Sequence, residues 1–360
     1  MRFPEFSGVW KKCTINDLAT VVGGGTPDTT VKSYWGGDIQ WFTPSEIGKN
    51  KYVDFSKRTI TRDGLDNSSA KLLPLHTILL SSRATVGECS IASNECTTNQ
   101  GFQSLIAKQC NIDFLYYLIQ TKKKDLIRNA CGSTFLEISA NEIRKIKVAV
   151  PVQNEQEQIA KLLSLIDERI ATQNKIIEKL QSLIKGLAAQ LTQSGTPNIR
   201  LCDCLECHSS TLQENCVSVT GSYPVYGATG LIGYTNNYAY NGESILIVKD
   251  GSGVGSLSYV NDHFSVIGTL NYLTAKENYS ILYLYYALMA FNFTPYITGM
   301  AIPHIYFKDY GKAKLFYPSI EKRIRIASLL HNIEQKLVVE QNLVISLSAQ
   351  KSYLLRMLFI

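Results

Sequence analysis

The densest set of reactive side chains in this sequence is Cys202, Cys204, Cys207 and His208, reading C-D-C-L-E-C-H. Thiolate and imidazole are zinc ligands, but structural zinc sites draw on a second, distant ligand pair. Only Cys216 lies near, so no metal is expected at Cys202–His208. The last five residues match the C-x-x-C-H spacing of haem attachment. That chemistry occurs outside the cytoplasm, and the start MRFPEFSGVWKK lacks the apolar run of a secretory signal. Gly251-Ser252-Gly253-Val254-Gly255 is glycine-rich and follows a strand pattern. A phosphate-binding P-loop needs Lys and then Ser/Thr after its last glycine, where Ser256-Leu257 stand. A dinucleotide fingerprint needs a helix to follow, and Ser-Leu-Ser-Tyr-Val reads as strand. The stretch reads as a hairpin or loop. The alternative is that its backbone N–H groups approach a phosphate beside Lys249. His76, His208, His263, His304 and His331 are scattered, none in a Ser/Cys triad context. There is no Walker lysine, helicase acidic box, Asn/Asp-Pro-Pro-aromatic tetrad or H-E-x-x-H. The chain is expected to be non-catalytic, with no cofactor.

Composition bounds the remaining classes. The chain has 360 residues, 45% hydrophobic and 18% charged, with net charge +6 and a pI near 8.7. That is an ordinary globular composition, long enough for two cores, and mildly basic, which is compatible with a nucleic-acid surface. No run approaches the roughly 18 apolar residues of a membrane helix. Nine cysteines without an export signal predict free thiols in a reducing cytoplasm.

Any such surface has to be positioned by two long helices. From Pro151 onward, apolar residues fall at Ile159, Leu163, Ile166, Ile170, Ile177, Leu180, Ile184, Leu187 and Leu191, with one gap at Gln173. Alternating steps of four and three are a coiled-coil seam. Shifted by 167 positions, the stretch recurs: Pro151 lands on Pro318, and the seam continues through Ile326, Leu330, Ile333, Leu337, Val344, Leu347, Leu354 and Leu358. The gap recurs as Glu340, and upstream Gly132 pairs with Gly299 and Ile138 with Ile305. The chain is therefore a tandem duplication of a globular part followed by a long helix. The expected parts are a first lobe at 1–150, a spacer helix at 151–193, a second lobe at 194–317 and a second helix at 318–360.

Within the first lobe, strands are expected near 38–43, 72–81, 84–91 and 101–106, then a helix over 112–129. Lys122, Lys123 and Lys124 fall in the last half of that helix, as a solvated face or a phosphate-contacting patch. Strands near 223–226, 244–249 and 255–260 and a helix at 279–291 are expected in the second. The two lobe sequences agree only at their C-terminal ends. The fold class is α+β.

With the helix start Pro151-Val-Gln-Asn-Glu155-Gln-Glu157-Gln-Ile159-Ala160, the duplicated plan resembles the specificity subunit of type I restriction-modification systems. The second copy departs, with Lys322-Arg323 in place of Glu155-Gln156. Lobe motifs resemble that family too: Gly25-Thr26-Pro27, Trp41-Phe42-Thr43-Pro44, Ser69 through Pro74, Thr98-Asn99-Gln100-Gly101-Phe102, Tyr223 through Gly230 and Asp250-Gly251-Ser252. The resemblance covers essentially the whole chain. It implies two mixed α/β target recognition domains joined by an antiparallel coiled coil. Each lobe would read one half of a bipartite double-stranded DNA target. Adenine methyltransferase subunits and restriction/translocase subunits would dock on the frame. Beside these motifs, the candidate DNA contacts are Lys71, Arg83, Gln100, Ser133 and Thr134 in the first lobe, and Tyr226, Lys249, Ser252 and His304 in the second. Competing readings are a DNA-acting enzyme with unrecognised motifs and a scaffold that binds only proteins.

Overall fold

The computed structural model describes residues 2–132 and 135–359. Two compact units emerge: Met1–Gln173 with Leu343–Ile360, and Asn174–Asn342. Each therefore contains a lobe and part of both long helices, so the units do not coincide with lobe and helix boundaries.

Four helices carry the two cores: α1 (Ile112–Thr121), α2 (Gln153–Thr192), α3 (Ile281–Met289) and α4 (Ile320–Leu358). The 40 residues of α2 give a helix about 60 Å long at ~1.5 Å per residue. In the first unit, the start of α2 and the end of α4 pack together, so the two run antiparallel there. Ile159, Leu163 and Ile166 share a core with Leu354 and Leu358. In the second unit, Ile184 and Ala188 from the end of α2 share a core with Ile326, Ala327 and Leu330 from the start of α4. Ile170, Ile177, Leu180, Leu187, Leu191, Ile333, Leu337 and Val344 are half-buried, and Leu347 is buried. The polar interruptions Gln173 and Glu340 are also turned inward, each 7% exposed.

Each lobe opens and closes in the same way. In the first, strand Lys11–Thr14 pairs antiparallel with Lys147–Val150, just ahead of α2. In the second, Ile199–Arg200 pairs with Lys314–Leu315, just ahead of α4. Each opening strand leads into one helical turn whose third residue caps it: Asp17 accepts from the Thr14 N–H at 2.7 Å, and Asp203 from the Arg200 N–H at 3.4 Å. The two lobe sequences agree only at their C-terminal ends, yet the backbone plan also repeats at their start. Their N-terminal ends share a build that side-chain identity does not carry.

Between these ends the lobes differ. The first holds a sheet ordered Ala19–Gly23, Gln103–Ala107, Ile78–Leu80, Cys89–Ala92, Tyr52–Val53. A smaller one is ordered Arg58–Ile60, Trp35–Phe42, Cys96–Thr98. The second holds one sheet ordered Leu205–Ser209, Leu270–Ala275, Tyr240–Val248, Leu257–Val266, Tyr223–Gly227, Gly230–Thr235. Two expected strands of the first lobe are shorter than their apolar runs. In 72–81 only Ile78–Leu80 is strand, because Pro74 lacks a donor and His76 takes φ 66°. In 84–91 the strand waits until Cys89, because Ala84 and Gly87 adopt φ 63° and 90°. The helix expected over 112–129 breaks at Lys122, so Lys123 and Lys124 begin a second short helix, and Lys123 pairs with Glu88.

α1 and α3 each lie in their unit's core, capped by Asn111 and Ser280. Both present tyrosine hydroxyls to a carboxylate of a long helix, one from the first and two from the second. Tyr117 donates to Asp167 at 2.7 Å, and Lys351 pairs with the other oxygen at 2.7 Å. In the second unit Tyr285 and Tyr286 donate to the two oxygens of Glu334 at 2.9 and 2.7 Å. Burial pushes all these tyrosines above their ordinary range. It pushes Tyr283, which donates to the Phe316 carbonyl at 2.8 Å, from 10 up to about 12. The folded chain thus keeps protons that the unfolded chain releases above pH 10. Stability from this source is intact below pH 10 and drains as pH rises toward 12. Thermal melts should hold steady approaching pH 10 and fall beyond it, and Tyr283→Phe should flatten part of that fall.

Candidate nucleic-acid interface

In the first lobe, four short motifs distant in sequence meet at one corner. The Gly25 N–H donates to the Thr98 carbonyl at 2.8 Å. The Trp41 indole donates to the Gly25 carbonyl at 2.9 Å. Thr26 donates to the Gln100 side chain. Close approach is the reason for the glycines: a Cβ on Gly24 would stand 2.0 Å from the Asn99 carbonyl oxygen, and one on Gly25 2.3 Å from the Ala70 nitrogen. Beside this corner opens a hollow of about 290 Å³, lined by Pro44, Arg83, Ala84, Asn99, Gln100 and Phe135 among others. Its polar rim carries a guanidinium and two amides. Arg83 is about half exposed and stands 3.9 Å from Glu137. Gln100 is exposed and takes the Thr26 hydroxyl on its oxygen. Arg and Gln are the side chains that read guanine and adenine edges with paired bonds.

The second lobe builds the matching place from other residues. The Lys249 carbonyl accepts from the Ile305 N–H at 2.9 Å, and the Gly251 N–H donates to the Pro303 carbonyl at 2.9 Å. Asp250 and Thr298 both bridge to His304. The His304 ring lies edge-on to Tyr306 at 5.0 Å, with the Lys308 ammonium 5.1 Å from the Tyr306 ring. Exposed Ser252 sits in the turn between the strands Tyr240–Val248 and Leu257–Val266.

A family model described as "type I restriction modification DNA specificity domain" matches residues 8–182 and again residues 199–347. The chain belongs to that family. As a specificity chain it is 40% identical over 182 residues to the MjaIX type I restriction enzyme specificity subunit of Methanocaldococcus jannaschii, covering 48% of this chain and 41% of that one. It is 25% identical to the EcoprrI specificity subunit of Escherichia coli, over 86% of this chain and 84% of the relative. It therefore spans less than half of the first relative and most of the second. Its fold matches a type I restriction-modification S subunit from M. genitalium with TM-score 0.66 and 19% identity, covering 100% of this chain and 99% of that one. A chain from a structure of type I system complex assembly matches with TM-score 0.57 and 14% identity, covering 98% of each.

The candidate contacts of this specificity chain fall into groups. Arg83 and Gln100 line one hollow. Lys249 and His304 share the hydrogen-bonded loop cluster, with Ser252 in the adjoining turn. Lys71 is exposed outside the hollow, next to buried Ala70. Tyr226 is half-buried on another strand, its carbonyl taken by the Ile267 N–H at 3.0 Å, its ring packed on a separate apolar cluster. Ser133 and Thr134 lie outside the described residues. Sequence reasoning missed Asn99, Ala84 and Phe135. The repeat shift would have found Ala84: it places Gly251 opposite, and a glycine in one copy marks the left-handed backbone of the other.

The cysteine cluster is dispersed by its elements. Cys202 and Cys204 sit in a helical turn, whereas Cys207 and His208 are successive on a strand, on opposite faces. His208 bonds Thr274 at 2.9 Å, and burial pushes the Cys204 thiol up to about 12. Among the described residues, no group of three or more His, Cys, Asp or Glu is placed to hold a metal, and no helix is long and apolar enough to cross a membrane.

Proposed function

We propose that this chain is the non-catalytic DNA sequence-specificity subunit of a type I restriction-modification complex. Each lobe reads one half of a bipartite double-stranded target, and the helices dock adenine methyltransferase and restriction/translocase subunits. The observation that carries the reading is a frame built twice around unlike sheets. Both lobes begin and end with the same paired strands and the same loop geometry at the candidate contacts, yet their sheets differ in strand number and order. A repeated frame suits two copies of one partner, and unlike lobes suit an asymmetric target. Phosphate contacts would hold the lobes on DNA and side chains with paired donors would read base edges. The complex would work on DNA in the cytoplasm.

The test is co-purification with candidate methyltransferase subunits, followed by mapping of methylated adenines on bulk DNA. A split motif with a fixed gap is expected. Exchange of residues 1–150 should change only one half of it. Arg83→Ala should weaken recognition of that half about tenfold or more, and Lys249→Ala should act through the other half. A chain that purifies alone, and leaves DNA unmarked with every partner, would instead point to a protein-only scaffold.

A further inference from the structure

At a shift of 167, the described residues 131–132 and 135–138 are bonded as their counterparts in 298–305 are. Cys131 and Glu137 exchange backbone hydrogen bonds at 2.9 and 2.9 Å; Thr298 and His304 do so at 2.9 and 2.8 Å. Ala84 donates to the Leu136 carbonyl at 3.2 Å where Gly251 donates to Pro303 at 2.9 Å. Ile138 donates to the Ser82 carbonyl where Ile305 donates to Lys249, both at 2.9 Å. Gly132 and Gly299 take φ 130° and 87°, and a Cβ on either would stand 2.1 or 2.3 Å from the carbonyl oxygen of residue 135 or 302. Each loop is thus tied by the same backbone bonds through its described residues. At the same place on both it holds an apolar side chain out in solvent: Phe135, 60% exposed, and Ile302, 66% exposed, with Met300 fully exposed beside it.

Single exposed apolar residues are ordinary. The same exposed position on two like-bonded loops, in lobes whose sheets differ, is not explained by packing within the chain. The neighbours indicate the occupant. Phe135 borders the hollow with Arg83 and Gln100; Ile302 takes the His304 ring nitrogen on its carbonyl at 3.2 Å, within the cluster that holds Lys249. An apolar tip beside cations and amide donors suits a duplex: the cations face phosphates while the tip enters between stacked base pairs. We infer that Phe135 and Ile302 are repeat-related wedges, each inserting at a base step of its lobe's half-site. This rests on the specificity-subunit reading and adds DNA deformation to base-edge contact.

The experiment uses the full chain assembled with its methyltransferase subunits, on duplexes carrying the split motif defined by methylation mapping. 2-Aminopurine is placed at successive steps of each half-site, since its fluorescence rises on unstacking. The wild-type assembly should raise it at one step per half. Phe135→Ser should abolish the rise in the first lobe's half only, and Ile302→Ser in the other half only. Each should weaken binding about tenfold or more. The salt slope should stay unchanged, because no charge is lost. Phe135→Leu should restore most of the signal. Melting temperatures should not move, since both side chains are exposed. No rise at any step with the wild type, or serine variants that bind as tightly, overturns the wedge while leaving the specificity role standing. Serine variants that lose the methyltransferase subunits rather than DNA also overturn it, assigning the tips to protein docking. A wild-type assembly that marks no split motif removes both the role and the wedge.

Discussion

Alanine at Gly24 is expected to destabilise the first lobe by about 3 kcal/mol or more and to abolish recognition of its half-site. The added methyl would stand 2.0 Å from the Asn99 carbonyl oxygen, 2.6 Å from that of Thr98 and 2.4 Å from the Thr98 hydroxyl. Two of the three are backbone, and Thr98 is 1% exposed, so no flexible side chain can swing aside. The chain must part at the joint where the segment around Gly25 leans on the segment from Thr98 to Phe102. Asn99 and Gln100 line the hollow, so a parted joint moves them away from Arg83. Gly8→Ala is the control, because nothing lies within 4 Å of that added methyl. Thermal melts of the full chain, together with methylation mapping of the assembly, separate the two effects. An undisturbed melt for Gly24→Ala would mean the corner is looser than its hydrogen bonds imply.

What the sequence made legible follows from how far each signal reaches. The long helices were readable because a seam repeats its apolar step many times, and the duplication because one shift held across both. Gln173 and Glu340 belong to the same signal: each is a polar residue at an inward seam position, and both are turned inward at 7% exposure. Helix geometry fixes direction whatever side chain stands there. The strands around His76 and Ala84 were over-read, because an apolar run does not announce a left-handed residue inside it. The common opening of the lobes was invisible for a related reason. Thr14 and Arg200 share no chemistry in their side chains. What repeats is a backbone N–H capped by the Asp three residues on, at Asp17 and Asp203. Of the candidate contacts, Arg83 with Gln100 and Lys249 with His304 converge because short motifs bracket them. Tyr226 does not, since its motif is a strand that packs into an apolar cluster.

Glu155→Lys is expected to be among the most damaging single changes in the chain, while Lys322→Glu, its mirror in the second copy, should be nearly silent. Glu155 is 0% exposed. Its two oxygens take Nε and Nη2 of Arg2 at 2.6 Å each, and one also takes the Trp10 indole at 3.3 Å. A lysine there would bury an ammonium against a guanidinium with no carboxylate between them, at a cost on the order of 3–5 kcal/mol or more for the lost partner of a buried charge. Lys322 is exposed; its ammonium bonds Ser194 at 3.1 Å and lies 5.2 Å from the Phe316 ring, contacts of the weak surface kind. Chemical denaturation of the two variants should show one midpoint displaced far and the other hardly at all. Equal midpoints would mean the Arg2 clamp contributes nothing to the fold. The departure of the second copy from the helix-start motif then has a physical meaning. Gln156 donates to the Pro151 carbonyl at 3.0 Å, and Arg323, its counterpart, donates to the Pro318 carbonyl at 3.3 Å. The contact that turns the chain into each long helix is kept with a different side chain. The position one residue earlier differs in charge as its surroundings do: Glu155 faces Arg2 and Trp10, and Lys322 faces Ser194 and the Phe316 ring.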